Sequence, residues 1–281
     1  MKVLLTIDGS TYSAWATDLL SSLPLAKSPA ITVLHVVETI PAVHAMLTPS
    51  ERQAYTAALR QQMERKRAAG QQLVAKTTDR LRKHWKSVRG VVDEGPVADT
   101  IISRARREKT DLIVLGSRGF GHVQKFAMGS VSHKVTTYAP CSVFVVKTHT
   151  RHRKKVLVAL DGSPYAEDAA VFLGSMFKKT SIRPTAVYVW ESPEHVPVLE
   201  SAAALIKDRC DGVMQRASLE ADFQFVIGHP AKEIVRIAQQ KHVGLVVVGS
   251  RGLTGLKRFL LGGISHEVVL HSPASVLVFR R

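Results

Sequence analysis

The sequence predicts an α/β fold that is present twice in one chain. Short apolar segments alternate with segments of helical periodicity along the 281 residues, which indicates parallel sheets covered by helices on both faces. A glycine-rich segment also occurs twice, as GSRGFGHVQKFAMGS at 116–130 and GSRGLTGLKRFLLGG at 249–263. Because long repeats set the architecture, we expect two domains with separate cores. We place them at 1–147 and 155–281, with a basic linker at 148–154.

Each half is predicted to run β-α-β-α-β-α-β, followed by the glycine-rich loop and a final α-β pair. The strands are rich in β-branched residues, and the helices carry apolar residues at spacings of three and four. In the first half the strands are expected at 2–7, 31–37, 89–93, 112–115 and 141–146, and the helices at 12–23, 50–85, 97–107 and 130–138. In the second half the strands are expected at 156–160, 185–190, 223–227, 245–248 and 274–279, and the helices at 165–177, 195–217, 231–240 and 262–271.

An Asp-Gly-Ser sequence ends the first strand of each half, at 8–10 and at 161–163. Asp and Ser at such a position cap the helix that follows. The same Asp also lies at the carboxyl edge of a parallel sheet, where open α/β sheets bind their ligands. We expect Asp8 and Asp161 to fill both roles.

The glycine-rich segment leaves a buried strand and enters a short helix. Its repeated glycines are Gly116, Gly119 and Gly129 in the first half and Gly249, Gly252 and Gly262 in the second. Such a segment brings backbone N–H groups close to an anion, and the helix adds the positive end of its dipole. A hydroxyl at Ser130 could cap that helix or donate to a phosphate. Glycines alone also fit an ordinary loop, but the repeated spacing favours a phosphate site.

Composition narrows the class of protein. No apolar run has the length of a membrane span, and the N-terminal segment is too poor in apolar residues for a signal peptide. The two cysteines, Cys141 and Cys210, have no metal-ligand spacing, so we expect a cytoplasmic protein without disulfides. The absence of G-x4-G-K-[S/T], and of G-x-G-x-x-G after the first strand, disfavours a P-loop enzyme and dinucleotide binding.

The charge is strongly basic, with a formal net value of +16. The region from Glu51 to Arg89 contains eleven Lys or Arg residues against three acids. A basic helix is most often a solvated face. The alternative is weak, salt-sensitive attraction to nucleic acid or an anionic surface. No helix-turn-helix, zinc-finger or RNA-binding aromatic signature accompanies it, so this partner is not favoured.

With both loops and both Asp-Gly-Ser turns in place, the chain resembles a tandem universal stress protein. The ATP-binding signature of that family is G-x2-G-x9-G-[S/T]. The first half matches it in full from Gly116 to Ser130, whereas the second half has Gly263 at the last position. The resemblance implies two Rossmann-like domains of the adenine nucleotide alpha hydrolase type, each with five parallel strands in the order 3-2-1-4-5. It also implies binding of ATP, with Mg²⁺ accompanying the phosphates.

The resemblance assigns ligand contacts residue by residue. It implies that Asp8 contacts the nucleoside, that Val36 contacts the adenine and that the glycine-rich segment holds ribose and phosphates. The implied first site comprises Asp8, Val36, Gly116, Ser117, Arg118, Gly119, Gly129, Ser130, Val131 and Ser132. The implied second site comprises Asp161, Val189, Gly249, Ser250, Arg251, Gly252, Gly262, Gly263 and Ser265.

Gly263 is the departure from the pattern, because it lacks the hydroxyl that Ser130 offers. A hydrogen bond to a charged group contributes roughly 1.5–3 kcal/mol. We therefore expect the second site to bind ATP about tenfold or more weakly than the first.

Three functions fit these patterns. The first is a nucleotide-dependent regulatory module of the stress response with little or no turnover. The second is a slow ATPase or self-phosphorylating protein, which would need a base or a water-positioning carboxylate. His122 is not repeated, because Thr254 takes its place in the second loop, so we predict at most weak ATPase activity and assign no catalytic residue. The third is an interaction protein whose second site is vestigial or holds another anion.

Two features bear on contacts between the halves. Arg118 and Arg251 could reach phosphates or pair with an acid across the domain interface. The last strands, 142–146 and 275–279, could pair within one chain as a pseudo-dimer, since members of the family commonly associate through them. A dimer of tandem chains is also open.

Overall fold

The computed structural model describes residues 1–39, 48–119, 128–149, 155–177, 182–191, 199–252 and 261–281. The elements of the first half are β1 (Lys2–Thr6), α1 (Thr11–Ser22), β2 (Ala30–Val37), α2 (Pro49–Arg82), β3 (Ser87–Glu94), α3 (Val97–Glu108), β4 (Leu112–Gly116), α4 (Ser130–Tyr138) and β5 (Ser142–Val146). Those of the second half are β6 (Lys155–Ala159), α5 (Pro164–Met176), β7 (Arg183–Trp190), α6 (Leu199–Arg216), β8 (Asp222–Ile227), α7 (Pro230–Gln240), β9 (Leu245–Gly249), α8 (Gly263–His271) and β10 (Ser275–Phe279).

The predicted order of elements is confirmed, with boundaries that shift by a few residues. His122, Thr254 and positions 150–154 of the predicted linker lie outside the described residues. Of the helices that the structure describes, none has both the length and the apolar character required to cross a membrane.

One sheet runs through the whole molecule, in the order β3-β2-β1-β4-β5-β10-β9-β6-β7-β8. Each half has the expected parallel order 3-2-1-4-5, but the halves join because β5 and β10 pair antiparallel. The five-stranded parallel sheet predicted for each half is confirmed, and the antiparallel pairing makes the two into one mixed ten-stranded sheet. The expectation of separate cores is wrong, because each face of the sheet carries one apolar cluster that includes residues of both halves.

The joining strands explain why the sheet is continuous. β5 and β10 are almost entirely apolar, and Phe144 lies opposite Leu277 in their register. Both side chains are fully buried. An exposed apolar edge strand would otherwise invite pairing with another chain. The antiparallel pairing covers both edges at once.

Two half-buried cations each reach across from one half to a helix end of the other. Lys147 follows β5, and its Nζ donates to the carbonyls of Leu270 and Ser272 at 3.3 and 2.7 Å, at the end of α8. Arg280 follows β10 and donates to carbonyls at the end of α4, including that of Thr137 at 3.1 Å. Cations at helix C-termini are favourable, but burial lowers the pKa of Lys147 to about 8 and that of Arg280 to about 10.

Candidate functional site

The first crevice lies at the point where the strand order reverses between β1 and β4. It has a volume of about 710 Å³ and opens at the carboxyl ends of the parallel strands. This edge is where open α/β sheets bind ligands. Its lining includes Asp8 after β1, the end of β2, Gly116 at the end of β4, Gly119 beyond it and the first turn of α4.

A tight turn holds the carboxylate of Asp8 in place. Gly9 has a φ of 84°, a left-handed conformation that favours glycine. The backbone N–H of Ser10 donates to Oδ1 of Asp8 at 2.9 Å, and the hydroxyl of Ser10 caps α1 by accepting from the N–H of Ser13. The cap is therefore Ser10 and not Asp8, which leaves Oδ2 of Asp8 for another contact.

Gly119 approaches that carboxylate closely. A Cβ placed on Gly119 would lie 2.5 Å from Oδ2 of Asp8, which is far inside van der Waals contact. The backbone after β4 can pass the carboxylate only because residue 119 has no side chain.

The N-terminus of α4 faces the same crevice. Its N-cap is Gly129, which makes no side-chain cap, so the expectation that Ser130 could cap the helix is wrong. The first intrahelical bond runs from the N–H of His133 to the carbonyl of Gly129 at 2.9 Å. The N–H groups of Ser130, Val131 and Ser132 precede that bond and lack a partner within the helix. All three residues line the crevice.

Arg118 lies beside the first helix and pairs with no acid of the described residues. Its guanidinium stands over the ring of Tyr12, 5.8 Å from the centroid, and Nη1 donates to the Tyr12 hydroxyl at 3.4 Å. Its Nε is buried and has no hydrogen-bond partner in the described part of the chain. Arg251 repeats the stacking and hydroxyl contact with Tyr165, at 5.3 and 3.0 Å.

The second crevice repeats this backbone in a smaller volume of about 440 Å³. The N–H of Ser163 donates to Oδ1 of Asp161 at 2.9 Å, and a Cβ on Gly252 would lie 2.8 Å from Oδ2 of Asp161. Tyr188 and Trp190 line its wall. Burial, with the nearby charge of Asp161 as a smaller cause, raises the pKa of the Tyr188 hydroxyl, so this wall stays neutral.

Most of the expected site residues line the two crevices, and two serines do not. Ser117 and Ser250 are buried, and neither belongs to a crevice lining. The backbone N–H of each instead donates to the carbonyl of the last residue of the neighbouring strand, Val146 for Ser117 and Phe279 for Ser250. The hydroxyl of Ser132 donates to the carbonyl of Gly116 at 2.8 Å and so fastens α4 to the end of β4.

Sequence reasoning missed the wall that α2 contributes. Lys66, Ala69, Gly70 and Leu73 line the first crevice. A Cβ on Gly70 would lie 2.5 Å from Cδ2 of His35, whose Nδ1 is 2.8 Å from the Ile7 carbonyl oxygen. A glycine inside an otherwise regular helix was the available signal, since such a residue often marks close packing.

Comparison with known proteins agrees with this architecture. The universal stress protein family matches at residues 1–147 and again at 152–280. A universal stress protein of Mycolicibacterium smegmatis is 27% identical over 99% of this chain and 96% of its own length. The protein YxiE of Bacillus subtilis, also a universal stress protein, is 34% identical over 45% of this chain and 98% of its own length.

Solved structures extend the likeness to the whole chain. A universal stress protein from Archaeoglobus fulgidus superimposes with a TM-score of 0.71 at 22% identity, covering all of this chain and 96% of the other. At this identity the superposition supports the fold alone. Because the family pattern covers both halves, the chain belongs to the universal stress protein family, whose members are stress-response proteins.

Proposed function

We propose that the first domain binds ATP in the 710 Å³ crevice and that occupancy makes the chain a nucleotide-dependent regulatory module. One observation carries the proposal. The carboxylate of Asp8, the bare backbone at Gly119 and the unpaired N-terminus of α4 converge on one cavity at the reversal of strand order.

The α4 side of the crevice suits the phosphates. Three N–H groups and the positive end of the helix dipole meet there. The hydroxyl of Ser130 adds a donor, and the buried Nε of Arg118 is a donor still free among the described residues. Lys66 of α2 adds a positive charge to the lining. These groups form the anion-binding end.

The apolar part of the lining suits the nucleoside. Val36, Val97 and Ile101 supply an apolar surface on which a base can lie. Asp8 belongs at this neutral end, because a carboxylate close to phosphates would be repelled. Its free Oδ2 can accept a hydrogen bond from a ribose hydroxyl, and a bond to a charged acceptor is stronger than one between neutral groups.

Mg²⁺ fits this arrangement as a companion of the phosphates. In the described part of the chain, no three His, Cys, Asp or Glu side chains are grouped to hold a metal. Mg²⁺ commonly keeps several waters and binds through substrate phosphates. When bound it would neutralise phosphate charge, while the residues of this chain hold the nucleotide itself.

The remaining parts of the proposal concern the organisation of the chain. We take 1–147 and 155–281 as the two domains, and the β5–β10 pairing as the intrachain form of a dimer contact. A cytoplasmic location is consistent with the two buried, free cysteines, Cys141 and Cys210.

A pair of conservative substitutions tests the nucleotide site. Asp8→Asn keeps Oδ1 for the N–H of Ser10, removes the charge and replaces the Oδ2 acceptor with an NH2 donor. Asp161→Asn makes the same change in the second crevice, where Ser163 makes the equivalent bond. Calorimetry with Mg-ATP on the full chain should show that Asp8→Asn weakens the tighter site about tenfold or more, while Asp161→Asn leaves that site unchanged.

Whether Asp8→Asn weakens or tightens ATP binding decides whether Asp8 faces the nucleoside or the phosphates. If Asp8 faced the phosphates, its neutralisation would remove a repulsion and binding would become tighter. Wild-type protein that neither retains a nucleotide on purification nor binds added Mg-ATP would overturn the proposal altogether.

A further inference from the structure

A pair of histidines occupies the axis that relates the two halves, away from both crevices. His133 lies on α4 and His266 on α8, at equivalent positions 133 residues apart. Their Nε2 atoms are 2.8 Å apart, and the ring centroids are 5.0 Å apart with the planes at 68°. His133 is exposed and His266 is half-buried. Because equivalent residues meet, anything that binds between them is held by the same group from each domain.

At this separation the two nitrogens share a hydrogen bond. One ring carries the proton on Nε2 and the other presents its lone pair. A second proton would set two donors against each other, and the surroundings oppose it, because burial first and the neighbouring His133 second lower the pKa of His266. Glu267 acts in the opposite direction, and His271 adds to the lowering. The shared hydrogen bond requires a lone pair on one Nε2, and that nitrogen can bind a metal ion at this point.

We propose that His133 and His266 together bind a divalent cation of the Zn²⁺, Ni²⁺ or Cu²⁺ class. Neutral imidazole is a preferred ligand of these ions, whereas Mg²⁺ and Ca²⁺ prefer oxygen. Metal–nitrogen bonds of about 2.0–2.1 Å at a tetrahedral angle separate two nitrogens by about 3.3 Å. The rings need to open by only about 0.5 Å from their observed contact of 2.8 Å to admit the ion.

The site is open rather than closed. No third His, Cys, Asp or Glu side chain completes a metal cluster within the residues that the structure describes, so water fills the remaining positions. This coordination is typical of exchangeable sites and not of structural zinc. The net charge of +16 opposes any cation, which makes us expect reversible binding.

A bound cation would link the two halves at their helix starts. The N–H of His133 donates to the carbonyl of Gly129 at 2.9 Å, and that of His266 donates to Gly262 at 2.8 Å. Both histidines thus lie one turn inside the helices whose N-termini line the two crevices. One ion across the pair would restrain both helix starts together.

Calorimetry on the metal-free full chain tests the site, with ZnCl2 or NiCl2 as the titrant and MgCl2 as the negative comparison. We expect one equivalent of Zn²⁺ to bind and Mg²⁺ not to compete. His133→Asn and His266→Asn should each weaken binding by at least the roughly tenfold to hundredfold that even an outer-shell change costs. The chain has 12 histidines, so His84→Asn, at an exposed position just after α2, serves as the matched control and should leave affinity unchanged.

A second measurement uses the wild-type chain and so does not depend on any variant folding. Imidazole ¹⁵N resonances followed during the titration should show both rings of the pair shifting at one equivalent. Equal Zn²⁺ affinity in wild type and the double variant, no binding, or shifts confined to other histidines would each overturn the proposal.

Discussion

In the first domain the helix α2 passes over the crevice and contributes Lys66 and Gly70 to its wall. In the second domain no described residue of α6 belongs to the corresponding lining. The two helices differ in length, with 34 residues in α2 and 18 in α6. Lys66 lies in the C-terminal half of α2 and gives the first crevice a cationic side chain that no described residue of α6 gives the second.

The walls formed by the second strands differ as well. Val37 of β2 is replaced by Trp190 of β7, and Phe225 lies close to that indole, with ring centroids 6.3 Å apart. At the helix start Ser130 is replaced by Gly263, where an added Cβ would meet nothing within 4 Å. The backbone cradle is thus kept in both domains while the side chains around it change. Under the proposed function, the shared backbone would set where a ligand lies, and the differing side chains would set how strongly each crevice holds it.

The largest expected effect comes from filling the close approach beside each carboxylate. Gly119→Val would press a side chain against Asp8, because a Cβ at residue 119 would lie only 2.5 Å from Oδ2 of Asp8. We expect about hundredfold weaker ATP binding in the first crevice, because the carboxylate and the phosphate-binding backbone are displaced together. Calorimetry in a Gly252→Val background isolates this site.

The same substitution in the second crevice, and a glycine outside both crevices, serve as controls for Gly119→Val. Gly252→Val alone should affect only the second crevice, since its Cβ meets Asp161 at 2.8 Å. Gly212→Ala lies where a Cβ meets nothing within 4 Å and should change neither site. Wild-type affinity in Gly119→Val would show that the first crevice is not the nucleotide site.

The next largest effect is a pH dependence of the free energy of unfolding, which should differ between Lys147 and Arg280. The pKa of Lys147 falls from 10.5 to about 8 on folding, chiefly through burial. Between those values the unfolded chain binds more protons than the folded one, so stability rises with pH. Between pH 7 and 9.5, urea unfolding should show that the free energy of unfolding of the wild type rises by about 2 kcal/mol relative to that of Lys147→Met.

Arg280 provides the internal control for this titration. Its pKa is about 10 in the folded chain, so it stays charged over most of that range. The stability difference between wild type and Arg280→Met should therefore change much less between pH 7 and 9.5. A difference in free energy of unfolding between wild type and Lys147→Met that does not change with pH would contradict the lowered pKa of Lys147.

A smaller effect follows from exchanging one hydroxyl between the helix starts. Gly263→Ser adds a donor into open space and should tighten the second site about tenfold, whereas Ser130→Gly should loosen the first by a similar factor. The double exchange should reverse the order of the two affinities if this hydroxyl governs it. Titration of both single variants and the double variant measures the order. An unchanged order would assign the difference to the walls instead.

The smallest expected effect concerns the cationic side of the first crevice. Lys66 is exposed, and solvent screens its charge, so Lys66→Gln should weaken ATP binding only about two- to fivefold. The difference between wild type and variant should shrink as salt is raised. Arg60→Gln, at an exposed position earlier on α2 that is outside the lining, is the matched control. A salt-independent difference would contradict a screened charge contact.

Local sequence patterns were sufficient for the order of elements and for the backbone of both crevices. The Asp-Gly-Ser turns and the glycine spacing identify them because each depends on residues close in sequence. That Ser117 and Ser250 are buried and do not line the crevices could not be predicted, because a local pattern does not show which way a residue faces after a strand ends. Lys66 was missed because α2 reaches the crevice only through packing on β2 and β3.

By itself the sequence determined a tandem α/β chain and the glycine-rich segments of both crevices, since periodicity, turn chemistry and repetition are local properties. The strand order within each half followed from the resemblance to a known family. Only the tertiary structure decided that the halves share one sheet, that Lys147 and Arg280 cap each other's domains, and that His133 meets His266. The physical reason is that strand-edge pairing and contacts across a pseudo-twofold axis join residues more than a hundred positions apart, and no local pattern fixes which distant surfaces will be buried together.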